Sequence, residues 1–170
     1  MAYFITGGTG FIGRNFIDKL KDREGDIYVL TRAESMHKFE ELQERMGDSG
    51  DRLIPVTGDL KQALLGVDDA TIADLKGKIK YFCHFAAIYD IGATAEAQTA
   101  TNIDGTRNAI QLAEALAAGS FEHVSSIAAG GLYQGTFRED MFEEADNLDH
   151  PYFSTKHDSE GIVRDEWKVP

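Results

Sequence analysis

Five short apolar runs recur along the chain, at Tyr3 to Ile5, Ile27 to Leu30, Leu53 to Val56, Tyr81 to Phe85 and Phe121 to Val124, with helix-like segments between them. Runs of this length, rich in Val, Ile and Phe, predict β-strands. Both faces of the runs are apolar, as in central strands of a parallel sheet covered by helices on both sides. Phe11, Ile12, Phe16, Ile17 and Leu20 predict one helix with a single apolar stripe. Ile103, Ala109, Ile110, Leu112, Ala113 and Leu116 predict a longer one. The predicted fold class is α/β, a doubly wound parallel sheet.

The alternation breaks at Gly130 to His150, which carries Arg138-Glu139-Asp140 and Glu143-Glu144-Ala145-Asp146. This stretch predicts a long loop, and long loops in compact domains are often functional. Neither an internal repeat nor a Pro-rich linker divides the chain, so a single domain over residues 1–170 is expected. A helix follows the acidic loop, and Trp167-Lys168-Val169-Pro170 stands where a sixth strand is expected to start. The domain is therefore expected to be incomplete.

Composition narrows the class of partner. Seventeen basic side chains against 29 acidic ones give a net charge of −12, which argues against a general nucleic-acid or anionic-membrane binder. An anionic ligand would need a local basic pocket. Cys83 is the only cysteine, so an internal disulfide and a cysteine-based metal cluster are excluded, and a reducing compartment fits. The start, Met1 to Thr6, lacks the basic and long apolar regions of a signal peptide, and no run approaches the ~18 apolar residues of a membrane span. A cytoplasmic protein without a metal site is expected.

The first run leads directly into Thr6-Gly7-Gly8-Thr9-Gly10-Phe11-Ile12-Gly13 and then into the first helix. Gly7 suits a tight turn, Gly10 lets backbone approach a pyrophosphate, and Gly13 lets helix pack close on strand. The helix N-terminus offers free N–H groups and a positive dipole end. A glycine-rich turn by itself is weak; a strand before it and a helix after it make it specific. The second run ends Val29-Leu30-Thr31-Arg32, where such folds meet the adenosine ribose. An acid there would bond the ribose hydroxyls of NAD, whereas Arg32 suits the extra phosphate of NADP. Ser35 and Lys38 could add contacts or simply be solvated.

Three further sites complete the set. Gly58-Asp59-Leu60 can set a carboxylate against an adenine amino group and an apolar side chain against its ring, unless Asp59 merely caps a helix. His84-Phe85-Ala86-Ala87 brings small residues along a cofactor, with His84 read as packed rather than catalytic. Tyr152 and Lys156, spaced i, i+4, project from one helix face. The ammonium favours phenolate and makes Tyr152 a usable proton donor near neutral pH. Alone, such a pair reads as a surface pair. Ser125-Ser126, a strand end 26 residues before Tyr152, can bring a hydroxyl to the same crevice to hold a substrate carbonyl.

Taken in order, Thr6 to Gly13, Gly58-Asp59-Leu60, Ala86-Ala87, Asn102-Ile103-Asp104-Gly105-Thr106, Ser125-Ser126 and Tyr152-x-x-x-Lys156 resemble the extended short-chain dehydrogenase/reductase family over the whole chain. Leu30-Thr31-Arg32, Ala86 to Asp90 and His123 to Ala128 look most like its fatty acyl-CoA reductase and male-sterility branch. The resemblance implies a Rossmann-like NAD(P)-binding domain and a catalytic Ser, Tyr and Lys. Its pattern S-S-x-x-x-x-G, counted back from Gly131, places the Ser at Ser126, and Asn102 matches the helix Asn that supports the site. Members usually add further strands and a substrate-binding lobe after the Tyr-Lys helix, so truncation before those parts is expected. The implied activity is hydride transfer between NADPH, in preference to NADH, and a small-molecule carbonyl: an aldehyde, ketone or acyl thioester. The alternatives are a nucleotide-sugar epimerase or dehydratase, against which Arg32 speaks, and a non-catalytic dinucleotide-binding protein. Homodimerisation stays open.

Overall fold

Every side chain of the first strand, β1 (Ala2–Thr6), is buried, and successive residues enter opposite cores. Ala2 and Phe4 join one apolar cluster, Tyr3 and Ile5 the other. A strand whose side chains alternate between faces can do this only at the centre of a sheet covered on both sides. A computed structural model describes residues 1–168 and places β1 there. Four more strands run parallel to it: β2 (Ile27–Thr31), β3 (Leu53–Thr57), β4 (Ile79–His84) and β5 (Ser120–His123). Their order is β3-β2-β1-β4-β5. The reversal beside β1 opens a crevice at the carboxyl ends of β1 and β4, where ligands of such sheets bind.

Helices α1 (Phe11–Lys19) and α2 (Met36–Met46) cover the Tyr3 and Ile5 face through Ile17, Phe39, Leu42 and Met46. The Phe4 face is covered by α3 (Asp69–Leu75), α5 (Gly105–Ala115) and α6 (Pro151–Glu166), through Leu75, Ile110, Leu112 and Ile162. A short α4 (Ala95–Gln98) runs through a π-helical stretch, Thr99–Asp104, into α5. On the α5 and α6 side the strand register stacks two cross-strand rows. Phe4, Phe82 and Phe121 form one, with ring centroids 4.8 and 5.3 Å apart. Thr6, His84 and His123 form the next, one step nearer the crevice.

Two details differ from the sequence reading. The outer strands β3 and β5 bury only part of their residues, because an edge strand lacks a neighbour on one side; two buried faces hold throughout β1 alone. Phe11 and Ile12 leave the predicted stripe: Phe11 is 73% exposed, while Ile17 carries the apolar burial of α1 and Leu20, its C-cap, is buried just beyond it. As the first two residues of the helix they lie at its crevice end rather than over the core.

The predicted long loop runs from Gly131, after a 3₁₀ turn at Ile127–Gly130, to His150. It is tied down by a bridge between Gly131 and Asp146 and by Phe142, whose ring stacks on His157 at 4.2 Å and lies under Arg164 at 5.1 Å. Trp167, at the position predicted to begin a sixth strand, follows α6 and packs on Phe121, with ring centroids 5.5 Å apart. Val169 and Pro170 lie outside the described residues.

Candidate functional site

The turn after β1 is shaped by its glycines. Gly7 has φ +70°, and a Cβ there would sit 2.7 Å from the Ala86 nitrogen. A Cβ on Gly13 would overlap the Gly7 carbonyl oxygen. Turn and helix can therefore close this tightly only without side chains. Thr9 is half-buried in the turn, and Gly10 is the N-cap of α1 with no capping side chain. The first-turn N–H groups of Phe11, Ile12 and Gly13 have no intrahelical acceptor and are available to an anion. This cradle fits a dinucleotide pyrophosphate.

Around it the other predicted residues take different surroundings. Arg32 is exposed at the end of β2, with Nη1 3.4 Å from Glu34 Oε1. Lys38 is exposed on α2, and Ser35 half-buried before it. Asp59 accepts the Lys61 amide at 2.9 Å within a turn and keeps its other oxygen free of that bond; it caps no helix, since the 3₁₀ turn that follows begins at Ala63 with Gln62 as its N-cap. Leu60 is half-buried against the α5 core. Ala86 and Ala87 are half-buried after β4, and the Ala86 backbone abuts Gly7 of the glycine turn.

Helix α6 starts where Pro151 supplies a fixed φ at its first turn and His150 Nδ1 accepts the Tyr152 amide at 3.1 Å. That start aims Tyr152 at the end of β5, where its hydroxyl lies 3.4 Å from Ser126 Oγ. Ser126 Oγ also accepts the Ala128 amide at 3.2 Å. With two bonds accepted, the Ser126 hydrogen remains to be donated. Ser125 turns the other way and donates to Glu160 at 2.5 Å. Lys156, one turn after Tyr152, is only 3% exposed and donates to the Val124 carbonyl at 3.0 Å. Lys156 is therefore buried rather than one half of a surface pair, while Tyr152 is half-buried. Nζ forms no hydrogen bond to Tyr152 among the described residues.

The electrostatics follow burial. Desolvation lowers the Lys156 pKa to about 8, partly opposed by the Glu160 carboxylate. Burial pushes Glu160 upward, but hydrogen bonds from Ser125 and Arg164 outweigh it and hold the carboxyl below its ordinary range. Burial, then Lys156, pushes His123 down to about 4. A cation whose pKa falls on folding costs stability while it is charged, and the cost disappears as pH rises from about 8 to about 10.5. Wild type is thus expected to be up to about 3 kcal/mol less stable than Lys156→Met at pH 7, with the gap closing above pH 8. Urea unfolding of both proteins from pH 6 to 10 tests this; a constant gap would contradict it.

Sequence reasoning placed Asn102 on a helix but missed what holds it. Asn102 is 2% exposed in the π-helical stretch. Its Oδ1 accepts the Ile88 amide at 2.8 Å, and its Nδ2 donates to the Ile88 carbonyl and to Thr155 Oγ1, at 3.0 and 3.2 Å. Thr155, His150 and Glu160 were not singled out, and Thr106 only as the last residue of the Asn102 motif, although a Pro at the first helical position signals an N-terminus.

The profile of the male sterility protein family matches residues 5–169. The chain belongs to that family. It is an extended short-chain dehydrogenase/reductase with a Rossmann-like fold, as the order of its motifs implies. This male sterility family chain is 30% identical over 95% of its length to a component of the linear gramicidin synthase of Brevibacillus parabrevis, covering 4% of that protein. It is 29% identical over 66% of its length to a Drosophila melanogaster protein named for fatty acyl-CoA reductase activity, covering 23% of it. The terminal R domain of the myxalamid biosynthetic pathway superposes with a TM-score of 0.82 at 26% identity, over 96% of the chain and 44% of that domain. A Bacillus cereus UDP-glucuronic acid 4-epimerase shares the fold, with a TM-score of 0.74 at 20% identity. The chain thus spans less than half the length of each of these proteins that it resembles except the epimerase, of which it covers 51%. No helix among the described residues is long and apolar enough to cross a membrane.

Proposed function

We propose that the chain is the cofactor-binding portion of an NADP-dependent reductase acting on a carbonyl, an aldehyde, ketone or acyl thioester, through Ser126, Tyr152 and Lys156. One observation carries this reading: the Tyr152 and Ser126 hydroxyls lie 3.4 Å apart at the sheet edge that also holds the glycine turn. NADPH, when bound, supplies the hydride. Tyr152 donates its proton to the carbonyl oxygen as that oxygen gains charge. Ser126 directs its remaining hydrogen at the same oxygen and holds the carbonyl in line. Lys156 uses one ammonium hydrogen on Val124 and has two left for the nicotinamide ribose. Asn102 holds the Ile88 loop and α6 in place, and Asp59, Leu60, Ala86 and Ala87 line the path of the cofactor.

Arg32 selects NADP in this reading. Its guanidinium stands in solvent beside Glu34, and a phosphate can displace that weak exposed partner. Arg32→Ala is expected to lower NADPH affinity by about 10- to 100-fold, the worth of a charge-assisted contact, and to leave NADH unchanged. Glu34→Gln, which removes the competing carboxylate, should raise NADPH affinity slightly. Fluorescence titration with both cofactors decides; equal affinities in wild type, unaltered in Arg32→Ala, would remove the NADP assignment.

A further inference from the structure

The row Thr6, His84 and His123 puts three polar side chains on adjacent strands directly beneath α5 and α6. His84 is 1% exposed, and both of its ring nitrogens are engaged. Nδ1 lies 2.8 Å from Thr6 Oγ1, and Nε2 lies 3.2 Å from Thr106 Oγ1. The neighbours decide the direction of each bond. Thr106 gives its hydrogen to the Asn102 carbonyl at 2.7 Å, so it can only accept from the ring, and the proton is on Nε2. Nδ1 is then an acceptor, and Thr6 donates to it while accepting the Ala86 amide at 3.3 Å. Burial first, then His123 and Lys156, disfavours a charged ring, in keeping with a single ring proton.

One polarised chain therefore runs from Ala86 through Thr6, His84 and Thr106 to Asn102, and aligned bonds of this kind strengthen one another. Both ends matter. Ala86 abuts Gly7, the first residue of the glycine turn. The bonds themselves end on the Asn102 main-chain carbonyl; from the same residue the side-chain Nδ2 donates to Thr155, whose hydroxyl donates to the Tyr152 carbonyl at 3.3 Å. Thr6 and His84 are 78 residues apart and Asn102 and Thr155 are 53 apart, so local helix geometry imposes neither contact.

We propose that His84 is a positioning residue which, in its Nε2–H tautomer, ties the glycine turn to helix α6 beneath Tyr152 through Thr6, Thr106, Asn102 and Thr155. The proposal rests on reading that turn as a dinucleotide cradle. Nucleotide bound at the turn then steadies the catalytic helix even when it reaches no residue of α6. His84 touches neither cofactor nor substrate and acts only through these partners.

Amide hydrogen exchange with ADP as the probe tests the link, because ADP engages the turn and lacks the nicotinamide ribose that would contact α6. In wild type, ADP should slow exchange across Gly7 to Gly13 and also at Phe153 to Lys156, the latter by about 3- to 10-fold, the reach of one or two net hydrogen bonds. His84→Phe keeps an aromatic ring against Phe121 and His123 but can neither donate nor accept. In it the turn should still respond to ADP and α6 should not. His84→Gln, which retains a donor toward Thr106, should restore part of the α6 response. An unaltered α6 response in His84→Phe, or an α6 indifferent to ADP in wild type while the turn responds, overturns the role of His84 alone. A wild-type turn indifferent to ADP overturns the dinucleotide reading, and this proposal with it. Should His84→Phe fail to fold, Thr6→Val and Thr106→Val cut the chain on either side of the ring and are read in the same way.

Discussion

Tyr152→Phe is expected to lower carbonyl reduction by a factor of roughly 10² to 10⁴, the usual contribution of a positioned acid, while NADPH affinity stays nearly unchanged. The change removes one oxygen. Phe keeps the ring packing of α6 and loses only the hydroxyl that meets Ser126 at 3.4 Å. Lys156→Ala is expected to damage both turnover and binding. Lys156 is the buried ammonium assigned to the nicotinamide ribose, and its loss also leaves the Val124 carbonyl without its donor. The measurement belongs on a protein that carries this chain at the length of its relatives: kcat with an aldehyde and an acyl thioester, beside NADPH titration. Near wild-type kcat in Tyr152→Phe would falsify the assignment of the proton donor. An equal loss of binding in both variants would point instead to a displaced helix.

Gly13→Ala should have the second large effect, at the other end of the crevice. The new Cβ would overlap the Gly7 carbonyl oxygen and lie 2.6 Å from the Gly8 Cα. Both obstacles are backbone, so no side-chain rotation relieves them, and the turn must open. Overpacking of this kind costs about 1–3 kcal/mol of stability. An opened turn no longer aims its amides at one phosphate, and nucleotide affinity is expected to fall by about two orders of magnitude, or ~3 kcal/mol. Gly77→Ala is the matched control. Gly77 has φ +76°, and a methyl group added there would meet nothing within 4 Å, so the change carries backbone strain alone, of about 1–2 kcal/mol, far from the crevice. Calorimetric titration with NADP and thermal unfolding of both variants separate the two costs. Unchanged affinity in Gly13→Ala would show that the turn does not bind phosphate.

The strands and the glycine turn were legible because each is a local pattern: β-branched and aromatic runs of strand length, and glycines at the junction of a strand and a helix. Phe11 and Ile12 were misread for a related reason. Helical spacing counts them with Ile17 and Leu20, but it cannot tell that the first turn of α1 overhangs the crevice instead of the sheet. Asn102 was visible as a residue and invisible as a contact, since its partners Ile88 and Thr155 come from separate elements. Ser125 and Ser126 are the same residue type, and only the family pattern counted back from Gly131 favours Ser126 in the sequence. Only the packing of α6 gives one to Glu160 and the other to Tyr152. Leu64 and Leu65, both with positive φ, lack any signal of their own; leucine at such a position is held there by its surroundings, with Leu65 fully buried.

The strand order also sets a timetable for synthesis. β1, β2 and β3 all lie within the first 57 residues, so half of the sheet can pair as soon as that segment has left the ribosome. The other edge of β1 has to wait for β4, since Thr6 meets a partner 78 positions later. At about 5–20 residues per second, that edge stays unpaired for several seconds. During this interval the nascent chain presents Tyr3, Phe4 and Ile5 as an open template for any other strand, including another copy of itself. The central strand of the finished domain is therefore its most vulnerable element while the domain is being made, and chaperone capture of ribosome-bound chains should peak before residue 84 emerges and decline after it.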